Sequence, residues 1–213
     1  MLIHPSNEES EMSSVKKGIL ARMILESRRA SVSANEPVLD FSQRSISELI
    51  QYIIGTHHDY IREEMPRLHA LSERVLAARK WLNPELLELS RKLRRLSGDL
   101  TFHMSHCENR VFPYIEALER SFRDGTPLSP SAAALDESLI EEVMVGHAPI
   151  AEMLRQIQAD TSGFMPPEDA SPDMISLYEG LKELARRRSN HLQLEGYILF
   201  PRALALEKRV LAA

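Results

Sequence analysis

The 213-residue chain carries 43% hydrophobic and 27% charged residues with 8 Gly, 12 Pro and 6% aromatics, which excludes collagen-like, low-complexity and wholly disordered classes and fits one ordinary domain with room for an arm. A formal net charge of -5 argues against a general binder of nucleic acid or anionic membranes, whose affinity rests on clustered Lys and Arg. The single cysteine, Cys107, makes no intramolecular disulfide, no run approaches the roughly 20 apolar residues of a membrane span, and the acidic start Asn7, Glu8, Glu9, Ser10, Glu11 is unlike a signal peptide, so a cytoplasmic location is expected.

Apolar residues recur every three or four positions along the chain, and no stretch alternates as a half-buried strand does, which predicts an all-α fold. A weak first helix over about Ser14 to Arg29 and a Ser-rich stretch through Pro37 read as an arm, residues 1–40. The second segment starts at Ser45, with Glu48 completing a capping box. It runs through Ile46, Leu49, Ile50, Ile53, Ile61, Met65 and Leu68 to about Arg79, with a kink expected at Pro66. The third opens with Asn83 as cap and Pro84 at the first helical position, repeats Leu86, Leu89, Leu93, Leu96 and Leu100, and ends near Asp124 and Gly125. The fourth covers about Ala132 to Asp160 and is expected to be interrupted at Pro149. The fifth starts at Ser171 and Pro172 and carries Leu177, Leu181, Leu184 and Ile198 before Phe200 and Pro201. Four long amphipathic helices with compact connectors fold most simply as an antiparallel four-helix bundle, residues 41–213.

Histidines interrupt these stripes at matching places. Continuing the third stripe past Leu100 leads to His103 and then Cys107. The fifth passes through Arg188 to His191 and Glu195, an i, i+4 pair separated by only about 40° around the helix. The fourth carries Leu139, Val143, His147 and Ile150 on one line. The second offers adjacent His57 and His58, and at about 100° per residue His57 lies nearer the stripe centre. A single inward His is ordinarily a hydrogen-bonded core residue. Several imidazoles and a carboxylate buried without partners, however, cost several kcal/mol, and a shared metal ion satisfies them together. Imidazole and carboxylate suit iron, manganese or zinc.

His191-Leu192-Gln193-Leu194-Glu195 followed by Leu199-Phe200-Pro201-Arg202 resembles the last metal-binding helix of hemerythrin-like proteins. The segment His103-Met104-Ser105-His106-Cys107-Glu108 with Val111-Phe112-Pro113 resembles another such helix. His58-Asp59 ahead of Pro66, and Val143-Met144 with His147, match the remaining two, so the resemblance covers about Phe41 to Leu206. The sharper likeness is to the repair of iron centres, or iron-sulfur cluster repair, family. That resemblance implies a non-haem di-iron centre with an oxo or hydroxo bridge, one iron being the alternative. It implies His58, His103, His147, His191 and bridging Glu195 as ligands, with His57 as the alternate to His58. It further implies a stress protein that binds or reduces nitric oxide, or repairs damaged iron-sulfur clusters. Nitric oxide or dioxygen is then the small ligand and iron-sulfur proteins are partners, with a homodimer left open. Asp99 falls where the family often has an acid near the metal, as a proton carrier or outer partner of the ligands, although a solvated helix acid is its plainer role.

The sequence departs from this family in several ways. Cys107 stands where the family has its first bridging glutamate, and Glu108 is one residue late, about 100° off around a regular helix. Three outcomes are open: a π-bulge turns Glu108 inward, the Cys107 thiolate binds iron, or the site loses a bridge and holds metal weakly or singly. His106 and Glu108 otherwise face solvent, as do His4 and His69. Arg188 pairs with Asp99 or another carboxylate, or snorkels outward. Residues 1–40 also lack the Cys-Cys domain often found in that family. A hemerythrin-like oxygen or iron sensor without turnover, and a metal-depleted interaction bundle, are the competing functions. Ferritin-type oxidase chemistry lacks its Glu-x-x-His pair here.

Overall fold

The computed structural model describes residues 41, 44–78, 83–129 and 138–212, and the expected arm, with His4, lies outside them. The described residues form four helical rods and no strand. Rod α1 (46–78) comprises Ile46–Ile53, a π turn Ile54–His58 and Asp59–Ala78; α2 (84–124) comprises Pro84–His106, a π turn Cys107–Val111 and Phe112–Asp124. Rod α3 is Ser138–Asp160, and α4 (172–211) comprises Pro172–Gln193, a π turn Leu194–Leu199 and Phe200–Leu211.

The ends of the rods follow from local chemistry. Ser45 and Glu48 make the expected capping box, and Glu119 of α2 also accepts from the backbone N–H groups of Ile46 at 2.7 Å and Ser47 at 3.0 Å. Asn83 caps α2 by accepting from the N–H of Leu86 at 3.0 Å, and Ser171 caps α4 by accepting from that of Met174. Rod α2 stops at Gly125, whose φ of 63° lies in the left-handed region that glycine adopts without strain.

Two expected breaks are absent. Rod α3 continues through Pro149, and α4 continues through Pro201 to Leu211. In α2 and α4 a Phe-Pro pair comes directly after the π turn. Proline lacks the N–H that would bond back into the widened turn, so the helix resumes at little cost. Pro66, where a kink is expected, lies inside the helix Asp59–Ala78.

Rod α1 packs on α2 and α4, and α2 packs on α3. The interior is divided along its length. One apolar cluster joins Met65, Leu68, Leu93, Leu96, Leu100, Ile150, Ile157, Leu177, Leu181 and Leu184. A second joins Ile46, Ile50, Ile53, Val111, Phe112, Ile115, Leu139, Val143, Leu199 and Phe200. Each fully buried Leu or Ile contributes about 1.5–3 kcal/mol, and this apolar mass on both sides offsets the cost of a polar layer between them.

Candidate metal centre

Every rod crosses from one apolar cluster to the other at a polar residue. His58, His103, His147, His191 and Glu195 are all at least 95% buried, and three of the four rods carry a π turn at that level. A π turn holds one more residue than an α turn and so rotates the rest of the helix out of its earlier phase. In α1 this shift buries both His57 and His58. His58 turns its Nε2 toward the interior, while His57 lies alongside with its ring stacked on that of His191, centroids 5.5 Å apart. Periodicity favours His57 because it assumes a regular helix, and the structure brings His58 instead to the centre.

Glu195 is the hub. Its Oε1 is 3.1 Å from His191 Nε2, and its Oε2 is 3.0 Å from His147 Nε2 and 3.6 Å from His103 Nε2. His58 Nε2 stands 3.3 Å from His191 Nε2. Donor atoms of His58, His103, His191 and Glu195 all lie within 4.8 Å of one another. Imidazole nitrogens thus stand at both carboxylate oxygens, His191 at Oε1 and His147 and His103 at Oε2, with His58 against His191.

These groups fit a cation better than they fit each other. His147 Nε2 and Glu195 Oε2 are both buried and neither has a hydrogen-bond partner, although they stand 3.0 Å apart. A buried polar atom left unsatisfied costs about 1–3 kcal/mol, and two lone-pair donors at this spacing are satisfied together by a metal ion. Protonation states agree. Burial lowers the imidazoles, taking His147 down to about 4 and His191 and His58 below the usual range. Burial would raise the Glu195 carboxyl, but the imidazoles of His191, His103 and His147 outweigh it and hold it well below the usual range. Neutral imidazole and ionised carboxylate are the forms that ligate.

The backs of two rings are also held. Glu108 Oε1 accepts from His58 Nδ1 at 2.6 Å, and Arg62 donates to both oxygens of Glu108 at 2.5 and 2.6 Å while also reaching Asp59 at 2.8 Å. This fixes the His58 tautomer with Nε2 free to face inward. Behind His191, Arg188 Nη1 lies 3.2 Å from Nδ1. A guanidinium only donates, so Nδ1 accepts and the neutral ring carries its proton on Nε2.

Of the three outcomes left open at Cys107 and Glu108, a π turn is present, but it delivers Glu108 to the outer nitrogen of His58 rather than into the centre, and rather than to solvent. Cys107 takes the inner position, fully buried, with Sγ 3.7 Å from Glu195 Oε1 and 3.8 Å from His103 Nε2. Burial and the Glu195 charge push its thiol well above the usual range. Arg188 is buried against His191 and does not snorkel; Asp99 lies 4.0 Å from Arg95. Asp99 does line a cavity of about 320 Å³ with Phe102, His103, His106, Glu142 and Gly146, so His106 also faces this space. The role of Arg62 has no sequence signal beyond its position one turn from His58. His69 is part-exposed and takes no part in the cluster.

The hemerythrin HHE cation binding domain matches residues 49–203 of the chain. The iron-sulfur cluster repair protein YtfE of Cronobacter sakazakii is 30% identical over 185 residues, covering 87% of this chain and 78% of that protein. The YtfE protein of Escherichia coli is 30% identical over 186 residues, covering 86% and 78%. Among the described residues no helix is long and apolar enough to cross a membrane.

Proposed function

Because the chain belongs to the hemerythrin HHE cation binding domain family, we propose that the buried cluster holds a non-haem di-iron centre serving the repair of damaged iron-sulfur clusters. The placement of imidazole nitrogens at both oxygens of Glu195, His191 at Oε1 and His147 and His103 at Oε2, carries this reading, since a carboxylate with nitrogen donors at each oxygen is placed to bridge two ions. The similarity to YtfE proteins supports the repair role.

In this reading His58, His103, His147, His191 and Glu195 would hold the iron. Bound iron supplies a redox-active site with open positions for a small ligand such as nitric oxide or dioxygen. The residues of the chain hold and insulate it. Apolar clusters on both sides exclude bulk water and raise the strength of each electrostatic contact. Glu108 and Arg62 keep His58 in one tautomer. Use of His191 Nε2 as a ligand would require the neutral ring to carry its proton on Nδ1 instead, with Arg188 Nη1 turned away from that nitrogen. The cavity beside His103 gives a small ligand a way in, and Asp99 at its edge is placed to carry protons to water. Nitrosative or oxidative stress, iron-sulfur proteins as partners and a cytoplasmic location belong to the same proposal.

Anaerobic iron loading of wild type and Glu195→Ala tests it. Wild type is expected to retain about two irons per chain and to show an oxo-bridge absorption after oxidation. The variant is expected to lose both. One iron or none in wild type would overturn the dinuclear reading, and absence of any spectral response to nitric oxide would remove that ligand.

A further inference from the structure

Besides the imidazoles and Glu195, one more donor lies at the same level of the interior. Cys107 Sγ is fully buried, and its polar neighbours include two atoms of the proposed ligands: Glu195 Oε1 at 3.7 Å and His103 Nε2 at 3.8 Å. Those neighbours come from two rods, α4 and α2, so the sulfur sits beside the carboxylate and one imidazole of the cluster.

We propose that Cys107 is a metal ligand, contributing a thiolate beside Glu195 and His103. The inference rests on the metal-binding reading above. Spacing supports it. Sulfur at about 2.3 Å and nitrogen or oxygen at about 2.0–2.1 Å from one tetrahedral ion are about 3.6 Å apart, close to both distances measured from Sγ. Independent support comes from His147 Nε2 and Glu195 Oε2, both buried, both lacking a hydrogen-bond partner and both at the same centre. Cys107 is reached by the regular stripe that carries Leu100 and His103, and the π turn that begins there accompanies the turn of Glu108 to the back of His58. One carboxylate oxygen donor is thereby exchanged for a soft sulfur, which shifts preference toward metals that accept thiolate. The buried guanidinium of Arg188 on α4 supplies positive charge that acts on this sulfur.

The test uses the full chain loaded anaerobically with cobalt(II), and with zinc for X-ray absorption. Wild type is expected to show an intense near-ultraviolet sulfur-to-cobalt charge-transfer band and a scattering path near the 2.3 Å of a zinc-thiolate bond. Cys107→Ser and Cys107→Ala are expected to lose the band while circular dichroism shows the same helicity. Cobalt bound by wild type with ligand-field bands alone, and a zinc shell of only nitrogen and oxygen, would overturn the thiolate assignment and leave the metal centre standing. Failure of wild type to bind either metal would overturn both. The wild-type scattering path decides the matter even where the variants do not fold.

Discussion

Glu108 of α2 and His58 of α1 meet at 2.6 Å, carboxylate oxygen to Nδ1, while the other nitrogen of the same ring stands 3.3 Å from His191 Nε2. One side chain from a neighbouring rod thus sets which nitrogen of His58 faces the interior. Removing it as Glu108→Ala is expected to weaken metal binding about 10–100-fold, the usual effect of losing the outer partner of a ligating histidine. Arg62→Met is expected to act in the same direction with smaller effect, because Arg62 reaches His58 only through Glu108. Competition with a chelator of known affinity measures both, and unchanged binding in Glu108→Ala would remove this role.

The metal-free protein is expected to lose stability as the pH falls from about 6.5 toward 4. Burial holds His147 at about 4 in the fold, against about 6.5 in an unfolded chain. Within that window the unfolded state binds more protons, so stability rises with pH and is fully present above about 6.5. For His147 acting alone the shift corresponds to about 3 kcal/mol, and His191 and His58 act with the same sign. Urea midpoints at about pH 7 and about pH 4.5 should differ clearly in wild type and less in His147→Leu. A flat wild-type profile would contradict it.

Glu119 ties the C-terminal part of α2 to the start of α1 by accepting from the N–H groups of Ile46 and Ser47 and from the Ser47 hydroxyl. Burial would raise its carboxyl, but these donors outweigh burial and hold it below the usual range. A group lowered in this way stabilises above its unfolded pKa of about 4.3 and loses that effect as pH falls through its folded value. Glu119→Ala is expected to cost about 1–2 kcal/mol at neutral pH, in the range of a lost helix cap. A thermal scan checks this, and equal melting temperatures would sink it.

Gly180 marks the close approach of α4 to α1. A Cβ there would lie 2.6 Å from both Leu68 Cδ2 and Arg67 Nη2 and 2.9 Å from Glu64 Oε1. Arg67 is a flexible surface side chain that can swing away, but Leu68 is fully buried and has nowhere to move. Ala gains about 1 kcal/mol of helix propensity over Gly, while overpacking costs about 1–3 kcal/mol. Gly180→Ala is therefore expected to lower Tm by about 2–4 °C. A higher Tm would show that the rods separate freely at this point.

By itself the sequence determined the number of long helices, their capped starts at Ser45, Asn83 and Ser171, and the rods that carry inward histidines, because caps and 3.6-residue periodicity are local properties of the chain. The i, i+4 pair His191 and Glu195 was legible for the same reason. Only the tertiary structure decided what happens at the π turns: that Glu108 turns to the back of His58, and that the phase shift carries His58, favoured by the family resemblance and not by periodicity, to the centre. Phase counted along a regular helix fails where an extra residue enters a turn, and nothing local marks that insertion. Continuation through Pro149 and Pro201, the partnership of Arg188 with His191, and the reach of Arg62 to Glu108 were equally hidden, since each depends on packing between residues far apart in the chain or on the turn that precedes them.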